Sequence, residues 1–169
     1  MLRPALFLDR DGVLNVDHGY VSRWEDFQWI PGAKEVIGAF NRADWLVIVV
    51  TNQSGIGRGY YTEADMQALH ARMIEDLAAS GGRIDAIYFA PEHPEAPLEE
   101  YRHPNPPNRK PNPGMLLTAL AEWPVDAERS IMVGDKPADL EAAMRAGIRG
   151  FLFEGGDLAK FLEAQAILG

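Results

Sequence analysis

Ala5-Leu6-Phe7-Leu8-Asp9-Arg10-Asp11-Gly12-Val13-Leu14-Asn15 runs four apolar residues into two aspartates spaced by one, followed by a glycine. A short apolar run of this kind predicts a strand buried on both faces of a parallel sheet. In such sheets ligands collect beyond the carboxyl ends of the strands, where Asp9 and Asp11 would emerge. If the backbone stays extended past Leu8, residues i and i+2 point the same way, so both carboxylates face one site. Two carboxylates that close repel, and one pKa rises unless a cation sits between them. The pair therefore implies a bound metal or a shared proton; the plainer alternative is a solvated turn at the end of a strand.

Outward from this stretch, strands and helices alternate. Val16 to Ile30 is aromatic and polar, and reads as a flap or a pair of short irregular strands over the site. Val36, Ile37 and Phe40 fall at helical spacing. Trp45 to Val50 is the strongest strand signal, and it runs into the polar, glycine-rich Thr51-Asn52-Gln53-Ser54-Gly55. Thr62-Glu63-Ala64-Asp65 reads as a helix cap, with Met66, Leu69, Met73 and Leu77 as the core stripe behind it and His70 as a helix-face residue. Ile84 to Ala90 is a third strand candidate, and Pro91 to Pro113 a long proline-rich loop. A helix begins near Met115. Ser130 to Val133 forms a fourth strand, followed by a helix opened by Pro137 with Leu140, Ala143 and Met144 facing inward. Gly150 to Phe153 is a fifth strand, and Leu158 to Leu168 a closing helix. The expected fold is α/β: a Rossmann-like, doubly wound parallel sheet in a single domain over residues 1–169, without an inserted cap.

Composition narrows the function. The chain has 169 residues, a formal charge of −9 and no cysteine, which excludes disulfides and thiolate chemistry. The negative balance argues against nucleic acid as a partner. No window reaches the apolar length of a membrane span, and no secretory signal precedes the first strand, so a cytoplasmic chain with no membrane partner is expected. Parallel strands bring Asp9, Asp11, Thr51, Asn52, Asp135 and Lys136 to one sheet edge, where Arg109 and Lys110 lead into the helix before the fourth strand. Three carboxylates, several cations and a hydroxyl converging at one edge are hard to assign to packing.

The order Asp9-Arg10-Asp11-Gly12, Thr51-Asn52, Lys110 and Gly134-Asp135 resembles the four motifs of the haloacid dehalogenase (HAD) superfamily of phosphotransferases. Asp17-His18-Gly19-Tyr20-Val21, Thr51 to Ile56, Arg109-Lys110-Pro111, Pro113-Gly114-Met115 and Gly134-Asp135-Lys136 are similar to its branch acting on heptose bisphosphates, and in part to that acting on histidinol phosphate. The resemblance implies phosphomonoester hydrolysis of a small phosphorylated sugar, with histidinol phosphate as the alternative. It implies Asp9 as nucleophile, Asp11 as general acid and base, and Mg²⁺ held by Asp9, the Asp11 carbonyl and Asp135. Thr51 and Lys110 would hold the phosphoryl group, while Asp17, His18, Gly19, Tyr20, Asn52, Gln53, Ser54, Arg109 and Lys136 contact the substrate. Arg58 reads as a surface arginine, with a helping role at the site as the alternative, and Asp139 as a support for Lys136 or for the metal's outer shell. Relatives often carry a structural zinc on three cysteines and a histidine. Here Glu92, His93 and His103 are too few ligands, so no zinc is expected and the prolines are expected to stiffen that loop. A receiver-like switch would need its phosphoacceptor after the third strand, where Ala90-Pro91 stands instead. Nothing in the sequence calls for an obligate partner, and a monomer is expected.

Overall fold

The structure, a computed structural model, describes all 169 residues. Five parallel strands form one sheet in the order β3-β2-β1-β4-β5: β1 is Ala5–Leu8, β2 Leu46–Asn52, β3 Ala86–Ala90, β4 Ile131–Gly134 and β5 Arg149–Leu152. The helices are α1 (Ala33–Arg42), the single turn α2 (Ser54–Gly57), α3 (Glu63–Ala79), α4 (Gly114–Glu122), α5 (Pro137–Arg145) and α6 (Leu158–Ala164). The strand order reverses between β1 and β4, which is where doubly wound sheets open a crevice for ligands.

β1 is central because every one of its side chains is apolar and fully buried. Alternation splits them between two cores. Leu6 and Leu8 pack with Val36, Ile37 and Phe40 of α1, Met73 and Leu77 of α3, and Leu158 and Leu162 of α6. Ala5 and Phe7 pack with Met115, Leu116 and Ala119 of α4 and Ala142 and Ala143 of α5. No helix is long and apolar enough to cross a membrane.

The local readings hold with small shifts of register and three corrections. Thr62 accepts from the Asp65 amide at 3.1 Å while Asp65 accepts from the Thr62 amide at 2.9 Å, a reciprocal cap. On α5 the inward residues are Asp139, Ala142 and Ala143, and Met144 is 70% exposed; the turn is rotated because Gly134 lets the Asp139 side chain close against the end of β4. α6 stops at Ala164, with Ala166 in the left-handed region shortly after it. His70 is buried, contrary to its reading as a plain helix-face residue. The flap is half-regular: Val16 donates to Gln28 O and Ile30 to Leu14 O, both at 2.8 Å, and residues 17–27 loop out between them. The proline-rich loop is ordered, with His93 N donating to Tyr101 O and Arg102 Nε to Ala96 O.

Thr62 is exposed, and its hydroxyl is engaged only in the α3 cap. Thr62→Ala is therefore expected to cost about 1 kcal/mol in urea unfolding, with catalytic rate unchanged.

Candidate active site

At the carboxyl ends of β1, β2 and β4 a cleft of about 570 Å³ is lined by Asp9, Asp11, Asn52, Gln53, Lys110 and Asp139 at its base. Asp17, Gly19, Tyr20, Ser54, Arg58, Arg109 and Lys136 line it further out. His18 is exposed and outside the lining, Thr51 is buried behind Gln53, and Asp135 stands beside Asp9.

Lys110 organises the base. Its ammonium, nearly fully buried, donates to Asp9 Oδ1 at 3.0 Å, Val50 O at 2.8 Å and Asp139 Oδ1 at 2.7 Å. An ammonium has three donors, and all three are engaged. Burial alone would lower the Lys110 pKa, but the charges of Asp9 and Asp139 override it and hold the side chain above its ordinary value. The lysine is delivered from the proline-rich loop by a reciprocal clamp: Lys110 N donates to Asn52 Oδ1 at 3.0 Å and Asn52 Nδ2 to Lys110 O at 3.1 Å.

The nucleophile candidate Asp9 accepts from Arg10 N at 2.9 Å and from Lys110, both on Oδ1. Burial pushes its carboxyl up to about 8; Lys110 pulls it down, and the charges of Asp139, Asp11 and Asp135 push it up again. Oxygens of Asp9, Asp135 and Asp139 lie within 4.8 Å of one another. Burial likewise raises the Asp135 carboxyl, whose Oδ1 has no hydrogen-bond partner. Asp139 differs: one oxygen binds Lys110 and the other accepts from the amides of Asp135 and Lys136, both at 3.1 Å. It therefore braces the lysine and the β4–α5 turn, a fuller part than support for the Lys136 side chain.

Gly12 allows the two acidic turns to meet. Its φ of +89° is left-handed, and a Cβ there would overlap the Asp135 carboxylate.

The Asp11 carboxylate is gripped from both sides. Oδ1 accepts from Arg10 Nη2 at 2.7 Å, Arg10 Nε at 3.3 Å and Asn15 Nδ2 at 3.0 Å. Oδ2 accepts from Gln53 Nε2 at 3.0 Å. Gln53 also donates to Thr51 Oγ1 at 2.9 Å and accepts from the Tyr61 hydroxyl. Burial pushes the Tyr61 phenol up to about 12, so it remains a donor. Arg10 reaches further, to Val21 O and to His70 Nε2 at 3.1 Å.

Toward the rim, burial and then the neighbouring Arg58 hold Arg109 below its ordinary pKa. Arg109 Nη1 and Arg58 Nε are buried without partners, while Arg58 Nη2 lies 3.3 Å from His93 Nε2. Arg58 is thus part of the cleft, not a surface arginine. His93 and His103 accept on Nδ1 from the amides of Glu95 and Asn105. They brace turns of the loop and do not gather with Glu92 into a ligand group.

Arg10, Asn15, Arg58, Tyr61, His70 and Asp139 are the site residues that sequence reasoning missed or underrated. Of these, Asp139 carried a signal one helical turn beyond Asp135, and Arg58 one in the glycine-rich run after β2.

A HAD-hydrolase-like family model matches residues 107–165. The chain is 47% identical over 165 residues to the D-glycero-beta-D-manno-heptose-1,7-bisphosphate 7-phosphatase of Rhodopseudomonas palustris, covering 98% of this chain and 91% of the relative. It is 44% identical over 145 residues to the enzyme of that name from Escherichia coli K12, covering 86% and 75%. Among solved structures, the D,D-heptose 1,7-bisphosphate phosphatase of B. bronchiseptica, complexed with magnesium and phosphate, superposes with a TM-score of 0.80. Their identity is 34%, and the match covers 96% of this chain and 86% of that one.

Two measurements check this geometry. Gly12→Ala should cost about 1–2 kcal/mol from backbone conformation alone and, by displacing Asp135, lower turnover about 10²-fold. The second concerns His70, whose pKa burial and Arg10 lower to about 3. The unfolded chain binds a proton near pH 6.5 that the folded chain refuses, so this contribution to stability is full above 6.5 and lost as pH falls toward 3. Relative to His70→Gln, the wild type should lose on the order of 2–3 kcal/mol between pH 6.5 and 4.5 in chemical denaturation.

Proposed function

The chain belongs to the HAD-like hydrolases, within the phosphoric monoester hydrolases named heptose-1,7-bisphosphate 7-phosphatases, and from that premise we propose that it removes the 7-phosphate of D-glycero-D-manno-heptose 1,7-bisphosphate. The observation that carries this reading is the division of the cleft. Its base gathers Asp9, Asp135 and Asp139 around Lys110 with Asp11 in the same lining, and its outer part carries Arg58, Arg109 and Lys136. Two guanidinium groups and an ammonium in the cleft lining suit a second phosphate. They suit poorly the ammonium group of histidinol phosphate.

The residues present fit Mg²⁺. Asp135 Oδ1 is buried and unpaired, carboxylate oxygens cluster beside it, and Mg²⁺ takes oxygen ligands. Asp9, Asp135 and the Asp11 carbonyl would hold it, and when bound it offsets the repulsion between a carboxylate and a phosphate dianion.

Everything else falls to the chain. Lys110 keeps Asp9 Oδ1 engaged, which leaves Oδ2 uncommitted. Asp9 attacks phosphorus, an Asp9–phosphorus bond forms, and the phosphorus–sugar oxygen bond breaks. Asp11 gives its proton to the departing oxygen, then takes one from the water that hydrolyses the aspartyl-phosphate. Lys110, its three donors taken, contributes the field of its positive charge rather than a hydrogen bond to the phosphoryl oxygens. Thr51 acts through Gln53, which it fixes. Asp17, His18, Gly19 and Tyr20 of the flap, with Asn52, Ser54, Arg109 and Lys136, meet the sugar and its second phosphate.

Phosphate release with Mg²⁺ is expected to be much faster from the heptose bisphosphate than from histidinol phosphate, and to stop with EDTA. Asp9→Asn should lower it by at least about 10³-fold while the protein stays folded. A preference for histidinol phosphate, or an active Asp9→Asn variant, would refute the substrate or the nucleophile respectively.

A further inference from the structure

Arg10 heads the large side chains with no solvent exposure, and α3 supplies part of what it rests on. Its Nη2 donates to Asp11 Oδ1 and Val21 O, both at 2.7 Å, and its Nη1 faces His70 Nε2 at 3.1 Å. A guanidinium only donates. The facing imidazole nitrogen must therefore accept, which makes His70 a neutral ring with its proton on Nδ1. A protonated ring would have no lone pair to offer and would set two cations face to face; burial beside Arg10 keeps His70 neutral. His70 is otherwise unused by the chemistry, on a helix whose other buried residues are Met66, Leu69, Met73 and Leu77.

The two oxygens of Asp11 are unequal. Oδ1 meets three donors from Arg10 and Asn15, and Oδ2 meets one from Gln53. A carboxyl proton needs a lone pair not already pointed at a donor, so it resides on Oδ2. We propose that His70 is a positioning residue for proton delivery: by accepting from Arg10 it locks the guanidinium fork on Asp11 Oδ1 and reserves Oδ2 to carry the proton to the leaving oxygen. His70 touches neither substrate nor reacting atoms. The inference rests on Asp11 being the general acid, as argued above.

Leaving groups separate positioning from mere structural support. The phenolate of 4-nitrophenyl phosphate departs without a proton, whereas the alkoxide of a sugar phosphate needs one. His70→Leu removes the acceptor; His70→Gln keeps one. With Mg²⁺ and full-length protein, His70→Leu is expected to lose about tenfold or more in kcat/KM on the sugar phosphate and less than about threefold on 4-nitrophenyl phosphate. His70→Gln should stay within about threefold of wild type on both. Should the leucine variant not fold, His70→Asn, whose shorter amide stops short of Arg10, is held to the same criterion. Equal losses on both substrates, or no loss on either, overturn the proposal. Asp11→Asn tells the two failures apart. Its own loss should be skewed toward the sugar phosphate; if it is and the His70 variants are not, only the role of His70 falls. If Asp11→Asn shows no skew, the acid itself was misassigned.

Discussion

Four carboxylates, from Asp9, Asp11, Asp135 and Asp139, crowd the ends of two neighbouring strands, and everything else in the site exists to make that tolerable. Two buried cations do most of it. Lys110 ties Asp9 to Asp139, and Arg10 takes Asp11. Arg10 is the chain neighbour of Asp11, but Lys110 arrives from 101 positions down the chain from Asp9, on a loop clamped by Asn52. Removing one partner of such a buried pair leaves an uncompensated charge in a place water does not reach. The remaining imbalance is concentrated on Asp9 and Asp135, whose carboxyls burial raises. Asp9 and Asp135 thus bear most of the crowding, while Asp139 is saturated and Asp11 is held elsewhere.

The fold supplies this crowding through its topology. With β1 in the middle and β4 beside it, the order reversal puts the Asp9–Asp11 turn and the Asp135 turn against each other. Close approach then depends on backbone without side chains. Gly12 cedes its Cβ position to the Asp135 carboxylate and Gly134 cedes its own to Asp139. The four apolar residues of β1 are shared between both cores, so the aspartates follow directly on a strand packed on both faces.

Much of this was legible from residue order. Leu6 to Leu8 and Val47 to Val50 declared buried strands, the Thr62 cap was readable to the residue, and the clustering of Asp9, Asp11, Lys110 and Asp135 followed from parallel topology. What stayed hidden has a common cause. Arg10 lies between two aspartates in a polar turn, where an arginine is ordinarily solvated, and nothing local says that it turns inward. His70 interrupts an apolar stripe without breaking its period, so its partner across the fold is invisible to pattern. Met144 was placed inward by spacing, but Asp139 takes the inner face because it has ionic partners to reach. Tertiary pairing of charges, unlike hydrophobic periodicity, leaves no repeat in the sequence.

The saturated base and the unsatisfied rim divide the cleft into two kinds of machinery. At the base, Lys110 has no free donor and Asp11 Oδ1 no free lone pair, so these groups are fixed before any ligand arrives. Such preorganisation holds the Asp9 and Asp11 carboxylates in place, so neither has to be reoriented when a ligand enters. Around the rim, Arg58 and Arg109 repel each other and keep buried donors without acceptors. The base is thus settled by pairing within the chain, whereas the outer lining keeps two like charges side by side.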